Sequence, residues 1–593
     1  MKPEPGPRRE REAIALLHRV HLAALLVALL AGVPLLAPAG ALPNGPLLGG
    51  PVGPPNAIPL PALVPAGPPS VAGSWEAPFE GQIPAVHMAL LPDQRVIYWS
   101  GDQAGDADWI YFLSTVQGSD TRLLAPPYTA DTVATTADPD NATSNLFCSG
   151  HTILPDGRLL SAGGSAWHAT LLQPGQSFVD GVPDARVFDW RTNEWTNVTP
   201  MEVARWYPTV MTTSQGGLAA SGISKLVDPT TMQNNMERFD GSSWSFVPGG
   251  NDSLPLYPRL FEVPSGPLKG DIYYETGGTL WGPFGEEPTE ATWNLAQAYD
   301  PTAQAWRDLG PSLFGVRTSP DNVMLPLDPA HGYAARILTF GGTLQRSVAA
   351  TSTAEIADLS TDPPTRTLAA PLHTPRWQST GILLPDGEVL AVGGALYDNV
   401  MTYGTPDPAV MTAELYDPAA NAWTDMAPMT IPREYHGTAL LLPDARVLVG
   451  GHVPNPVPWK AMRDNVGLAN QSPETKFEIF DPPYLHWGVP QPDLSSAPST
   501  LGYDQPFTVT SSDAGLIQDA ILVRHMAETH SSDPGQRAVV LPLVSRNGDS
   551  LAFRSPPDAV LATPGPWMLF LRENVPGHGL LPSKALTIML GGA

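Results

Sequence analysis

The chain has 593 residues, 15% of them charged and 42% hydrophobic, with a formal net charge of −26 at pH 7. That charge excludes nucleic acid as a partner, since phosphates would be repelled on approach, and the apolar content excludes a disordered chain. The 68 prolines and 55 glycines punctuate many short apolar runs, which points to an all-β protein.

The N-terminus reads as an export signal. Arg8, Arg9, Arg11 and Arg19 precede an apolar stretch from Leu22 to Leu36, and Ala37-Pro38-Ala39-Gly40-Ala41 follows with small residues. A basic segment, an apolar segment and an A-x-A site are the parts of a cleavable signal, so residues 1–41 are expected to be removed. The apolar run is short for a membrane span and carries Gly32 and Pro34, so a secreted or cell-surface protein with no membrane association after cleavage is expected. Residues 42–70 are Pro/Gly-rich and read as a linker. Export makes the cysteine count informative, because there is one, Cys148. A lone thiol in an oxidising compartment is oxidised or has a task, although a buried cysteine can also serve as a small hydrophobe.

From residue 71 onward the chain repeats itself. Apolar strands ending in glycine recur at Gly101, Gly164, Gly222, Gly278, Gly342, Gly394 and Gly451. The interval, roughly 50–65 residues, is that of a kelch propeller blade. Four of the strands follow an obvious hairpin turn, LPDQR at Leu91, LPDGR at Leu154, LPDGE at Leu384 and LPDAR at Leu442. Further on, a strand ending near an aspartate leads to a tryptophan, at Trp195, Trp244, Trp306 and Trp423; these read as core residues between blades. Residues 71–487 are therefore expected to form a seven-bladed kelch β-propeller. Residues 488–593 change to short strands such as FTVTSS, AILVRHM and WMLFLRE, which fit a C-terminal Ig-like β-sandwich domain.

The repeats permit a comparison of register. Six residues before the turn at Leu154 lies Cys148; before Leu442 lies His436, and before Leu384 lies Gln378. Around the degenerate turn at Thr213 the same count reaches Tyr207. Equivalent points of repeats arranged around an axis converge, so Cys148, Tyr207 and His436 are expected to meet, with Tyr435 beside His436. A buried tyrosine or histidine taken singly is more often a core residue than a ligand. Here several share one register with the only cysteine, and imidazole and phenolate suit copper(II). The C-terminal region offers a further nitrogen ligand, His530, in a polar loop; His525, in the strand-like run AILVRHM, competes with it. Arg205, Arg376 and Arg433 precede the axial position in three repeats and read as structural ion-pair residues.

F-C-S-G at Phe147, A-R-W-Y-P at Ala204, R-E-Y-H at Arg433, F-E-I-F-D-P-P-Y-L at Phe477 and T-H-x5-Q-R at Thr529, in this order, resemble the copper-radical oxidases, the family of galactose oxidase and glyoxal oxidase. The resemblance implies one copper ion held by Tyr207, His436 and His530 equatorially and Tyr435 axially. It implies a protein-derived cofactor in which Cys148 is bonded through sulfur to the ring of Tyr207. It also implies oxidation of a small aldehyde or primary alcohol by O2, with H2O2 as co-product, Tyr435 as base and Tyr207 as the radical. A peroxidase is a conceivable consumer of the peroxide, and a monomer is expected. Two departures favour the glyoxal oxidase branch or bear on the site. A Pro/Gly-rich linker stands where galactose oxidase has a carbohydrate-binding domain, and no tryptophan follows Gly222. Trp281, Trp206 and Trp167 are the candidates to stack on the thioether. A catalytically inactive kelch-propeller binding or cell-surface protein is the alternative, which copper uptake would distinguish. A propeller glycosidase would need carboxylates in the axial register, where Cys, Tyr, Gln and His stand.

Overall fold

The computed structural model describes residues 67–591 apart from 101–119, 129–135, 138–143, 168–178, 226–230, 280–292, 345–346, 348, 399–408 and 452–473. The predicted signal peptide, most of the linker and Trp281 lie outside the described residues. The helical elements lying wholly among the described residues are Pro69–Ala72 and the 3₁₀ turns Pro329–His331 and Pro483–His486. The rest is strand and loop, as the punctuation of the sequence implies.

Between residues 87 and 481 antiparallel sheets follow one another in chain order. In one, Gly150–Ile153 pairs with Leu159–Ala162, which pairs with Ala185–Asp189, which pairs with Glu194–Val198. The turn from Leu154 to Arg158 closes the first hairpin, the Leu154 N–H donating to the Arg158 carbonyl at 2.8 Å. The corresponding first strands of the other sheets are His87–Leu90, Thr209–Thr213, Arg259–Glu262, Asp321–Met324, Thr380–Leu383 and Gly437–Leu441. First strands pack side by side from Gly150–Ile153 through Thr209–Thr213 to Arg259–Glu262, and from Asp321–Met324 through Thr380–Leu383 and Gly437–Leu441 to His87–Leu90, as sheets arranged radially around an axis do. Near its start the described chain returns to close the arrangement: Ser74 and Trp75 pair with Asp481 and Phe480 on the outer edge of the last sheet.

A buried ion pair repeats with the sheets. Arg205 meets Glu237 at 2.7 Å, Arg317 meets Glu355 at 3.7 Å, Arg376 meets Glu414 at 2.6 Å and Arg433 meets Glu478 at 3.6 Å, all fully or almost fully buried. Each arginine lies ahead of a first strand and each glutamate on the third strand of the same sheet. The arginines also donate to carbonyls at the glycine-rich ends of second strands, Arg376 to Gly393 at 3.2 Å and Arg433 to Gly451 at 2.9 Å. Those glycines are demanded by close approach. Gly393 has φ +69°, and a Cβ there would lie 2.7 Å from the Arg433 carbonyl oxygen. The ion-pair reading of Arg205, Arg376 and Arg433 thus agrees with the structure, and Arg317 joins them. The fourth-strand tryptophans lie opposite aromatic residues of the third strand: Trp195 faces Phe188, Trp244 faces Phe239, Trp306 faces Tyr299 and Trp423 faces Tyr416.

The C-terminal region forms two sheets. One runs Thr500–Leu501, Leu586–Leu590, Gly565–Val575, Ile517–Arg524, Ala538–Pro542, and the other Pro506–Thr510, Ser550–Arg554, Ser545–Asn547. Their shared interior, with Phe507, Leu522, Phe553 and Trp567, is continuous with Phe261, Leu327 and Ile337 of the repeat sheets. One segment leaves the sandwich altogether. Ala527–Thr529 pairs with His87–Leu90 on the inner edge of the first sheet, Thr529 opposite His87, and so carries His530 to the axis.

Candidate metal centre

Six non-glycine residues with left-handed backbone stand one or two positions ahead of a first strand. They are Cys148 (φ 64°), Tyr207 (60°), Tyr257 (43°), Ser319 (49°), Gln378 (57°) and His436 (67°). Side chains at a positive φ are strained by contact between Cβ and the backbone, so a recurrence at one point of the repeat marks a shared structural demand. Backbone bonds tie adjacent members together: Tyr207 N–H donates to the Cys148 carbonyl at 3.0 Å, and Tyr257 N–H to the Tyr207 carbonyl at 2.9 Å. Counting back from turns reaches four of the six. Tyr257 and Ser319 escape it because no LPDG-type turn follows them. The signal that finds them is Tyr257-Pro258 and Ser319-Pro320, which repeat Tyr207-Pro208 at the same distance from a strand.

Cys148, Tyr207, Tyr435, His436 and His530 come together in one buried cluster. Ligand atoms of Cys148, His436 and His530 all lie within 4.8 Å of one another. The phenol oxygens of Tyr207 and Tyr435 are hydrogen-bonded to each other. The Tyr435 ring centroid is 3.8 Å from that of His436, and the His530 ring stands 4.7 Å from both His436 and Tyr207. Among the tryptophans, Trp206 covers Tyr207, with centroids 3.5 Å apart and planes 7° from parallel. Trp377, which the sequence comparison did not single out, lies over Tyr435 at 5.9 Å and 19°. Trp167 ends a described strand, Ser165–Trp167, but its side chain is outside the described residues, as is the whole of Trp281.

His530 is presented with one nitrogen ready. The Thr529 hydroxyl donates to the Val86 carbonyl at 3.0 Å and lies 2.6 Å from His530 Nδ1. A hydroxyl has one proton to give, so it accepts from Nδ1–H, and the lone pair falls on Nε2. That Nε2 is buried with no hydrogen-bond partner among the described residues. His525, the competing candidate, is not at the centre. Its Nδ1 lies 3.1 Å from the Leu90 carbonyl and its Nε2 3.4 Å from the Thr587 hydroxyl.

Burial dominates the electrostatics. It pushes the Tyr207 and Tyr435 phenols well above their ordinary range, with further upward pressure from Cys148. It raises the Cys148 thiol too, against hydrogen bonds with Tyr207, Trp206 and Ser165. Burial holds His530 well below the usual imidazole range, with His436 and His87 adding to the effect. Without a cation, burial favours the neutral forms of the Tyr207 and Tyr435 phenols and of the His530 imidazole. A bound cation reverses that preference for the phenols. Two imidazoles and two phenols form a nitrogen/oxygen donor set suited to copper(II), and the unpartnered His530 Nε2 is what such a ligand looks like before metal arrives.

Repeat sheets joined to a C-terminal sandwich that lends one histidine to the axis define the galactose oxidase-like fold. The chain superimposes on a fungal alcohol oxidase solved in complex with copper with a TM-score of 0.69, at 21% identity, covering 88% of this chain and 99% of that one. Residues 316–484 match the family model "Glyoxal oxidase N-terminus", and residues 491–590 match "Galactose oxidase-like, Early set domain". A galactose oxidase of Gibberella zeae is 28% identical over 438 residues, 70% of this chain and 59% of that protein. An aldehyde oxidase of Vitis pseudoreticulata is 26% identical over 461 residues, 72% of this chain and 79% of that one. The chain thus spans somewhat under two thirds of the galactose oxidase it matches. These matches show that the chain is similar to galactose oxidases and aldehyde oxidases in sequence and to a copper-containing alcohol oxidase in fold.

Proposed function

We propose that this chain is a secreted mononuclear copper-radical oxidase that converts small aldehydes or primary alcohols with dioxygen, releasing hydrogen peroxide. The observation that carries the reading is the convergence of the only cysteine with Tyr207, Tyr435, His436 and His530 in one buried cluster. Tyr207, Tyr435, His436 and His530 would hold the metal. The architecture we propose is a seven-bladed kelch propeller over residues 71–487, with residues 488–593 as the domain supplying His530, after a signal peptide (1–41) and a linker (42–70).

Copper(II), when bound, supplies one oxidising equivalent and a Lewis acid. Oxidation of an alcohol needs two electrons, and the second equivalent is assigned to Tyr207. Joining Cys148 Sγ to the Tyr207 ring breaks one S–H and one C–H bond and forms one C–S bond. Two protons and two electrons pass to dioxygen, giving hydrogen peroxide. The sulfur-substituted phenol is easier to oxidise, and Trp206 shields its face from water. Tyr435 Oη, beside Tyr207 Oη, is placed to take the substrate's hydroxyl proton as phenolate. Tyr207 then takes the hydrogen from the substrate carbon. The balance is RCH2OH + O2 → RCHO + H2O2, or for an aldehyde hydrate RCH(OH)2 + O2 → RCOOH + H2O2.

The test is peptide mapping of copper-treated, aerated protein together with peroxide release from a panel of small aldehydes and alcohols. The expected result is a reductant-stable species joining the Cys148 and Tyr207 peptides, two hydrogens lighter than their sum, and peroxide with at least one substrate. A Cys148 thiol still alkylatable after full copper loading would overturn the reading.

A further inference from the structure

Cys148 is held from both sides. Its carbonyl accepts the Tyr207 N–H, and its own N–H donates to His87 Nε2 at 3.2 Å, across 61 residues and from a different sheet. A backbone N–H can only donate, so Nε2 of His87 carries a lone pair there. The His87 ring has little freedom. It is wholly buried, stacks on Trp99 at 4.9 Å with planes 2° apart, and meets the edge of His151 at 5.3 Å. Trp99 is its direct partner on the adjacent strand. The other ring nitrogen, Nδ1, is buried with no hydrogen-bond partner among the described residues. Burying an unsatisfied polar atom is costly, and an apolar side chain could pack against Trp99 without that cost. What an apolar side chain could not supply is the acceptor for Cys148.

Cys148 needs such an acceptor because its backbone is left-handed, φ 64°, a conformation that a non-glycine residue adopts only when its surroundings impose it. His87 is also joined to the histidine from the C-terminal region. Its backbone pairs with Thr529, and its ring lies 5.7 Å from that of His530. One residue therefore fixes the cysteine loop against the segment that delivers His530.

We propose that His87 is a positioning residue for thioether formation, its Nε2 holding the Cys148 N–H so that the sulfur faces Tyr207. The inference rests on the copper-radical reading above, in which dioxygen is the two-electron acceptor for closure of the C–S bond. His87 touches neither substrate nor the bond being formed; it acts through Cys148.

The experiment uses the full chain prepared without copper, then given Cu(II) and air, with the loss of two hydrogens followed by intact mass against time. His87→Gln places an amide oxygen near the position of Nε2; His87→Asn carries the same group too far back to reach. The glutamine variant should cross-link within about threefold of the wild-type rate, and the asparagine variant about tenfold more slowly, the scale of one lost buried hydrogen bond. Trp99→Phe loosens the stack and leaves the hydrogen bond, so a slowing of about threefold is expected; it carries the test if the asparagine variant does not fold. The proposal is overturned if the asparagine variant, or failing it Trp99→Phe, cross-links at the wild-type rate, or if glutamine and asparagine slow the reaction equally. A wild-type chain that never loses the two hydrogens overturns the copper-radical reading itself, and this inference with it.

Discussion

Tyr207 donates its backbone N–H to the carbonyl of Cys148 at 3.0 Å, so the two residues proposed to become covalently joined are already tied by main chain across adjacent sheets. Both have a left-handed backbone, and both are buried. Cross-linking then needs no rearrangement of the sheets, only chemistry at the side chains. Cys148→Ser keeps that backbone arrangement and removes the sulfur. It should bind copper within about threefold of wild type and show no loss of two hydrogens. Its turnover should fall by about a hundredfold or more, ~3 kcal/mol on the barrier, because an unsubstituted phenol is harder to oxidise. Copper titration, intact mass and peroxide release check the three parts separately.

Copper uptake should release protons. The Tyr207 and Tyr435 phenols, neutral at pH 7 as ordinary phenols are, are held more firmly so by burial, whereas His530 is held neutral by burial and has no ligand-blocking proton to give. A phenol that becomes a ligand as phenolate must lose its proton. At least one proton per copper should therefore appear in weakly buffered solution with an indicator dye. Apparent affinity should rise about tenfold per pH unit for each proton released. Uptake without proton release would mean that neither tyrosine ligates as phenolate.

Much of this centre is legible in the sequence, and the limits of that reading have physical causes. The register count worked for Cys148, Gln378 and His436 because an LPDG-type hairpin fixes the distance between the axis and the turn. It does not reach Tyr257, where a connection over residues 263–271, with no LPDG-type turn, separates the strand Arg259–Glu262 from the next at Ile272. His530 could be chosen only by loop polarity and resemblance, since its place depends on Thr529 pairing with His87, a contact over more than four hundred residues. The sequence leaves three tryptophans open for stacking, and nothing in spacing says that a residue beside Tyr207 can fold back over its ring. The pairing of His87 with Cys148 left no sequence signal at all.

The repeated arginine–glutamate pair predicts a stability cost that is independent of chemistry at the axis. Glu414 is fully buried, meets Arg376 at 2.6 Å, and accepts backbone N–H groups of His373 and Thr374 at 2.6 and 3.1 Å. Glu414→Ala strands a buried guanidinium and two amides. Removing one partner of a buried pair costs about 3–5 kcal/mol, and denaturant unfolding should show a loss of that size. A change below about 1 kcal/mol would mean that the sheet relaxes around the missing carboxylate.

His525 carries a pH dependence whose sign is fixed by burial. Desolvation holds it down to about 4, from an ordinary value of 6.5. Between those values the unfolded chain binds a proton that the folded chain refuses, so this group's contribution is complete above pH 6.5 and is lost as pH falls toward 4. His151, also near 4, acts in the same direction, while Asp321 and Asp533, raised to about 7, act in the opposite one. The clean quantity is the difference from a variant. Asparagine at this position can still donate to the Leu90 carbonyl but does not titrate. The stability gap between wild type and His525→Asn should move by about 2–3 kcal/mol in the variant's favour from pH 7.5 to pH 4.5. A gap that stays constant across this range would place His525 in a hydrated site.

Thr529 sets which nitrogen of His530 is available, and this can be separated from any role in the fold. Its hydroxyl donates to the Val86 carbonyl and so must accept from His530 Nδ1–H, which leaves the lone pair on Nε2, the atom without a partner. Thr529→Val keeps the shape and the strand pairing with His87 but removes the acceptor. Nδ1–H is then left unsatisfied, the opposite tautomer is no longer disfavoured, and the ring loses its anchor. Outer contacts of this kind are worth about 10–100-fold in metal affinity, so the variant should bind copper weaker by that factor. Thr529→Ser, which restores the hydroxyl, should recover most of the loss. Competition with a chelator of known affinity measures both, and thermal unfolding of the copper-free proteins shows whether the fold has changed. If valine and serine bind copper alike, His530 is oriented by packing against Tyr257, whose ring lies 4.9 Å away and 30° from parallel, and the hydroxyl contributes little.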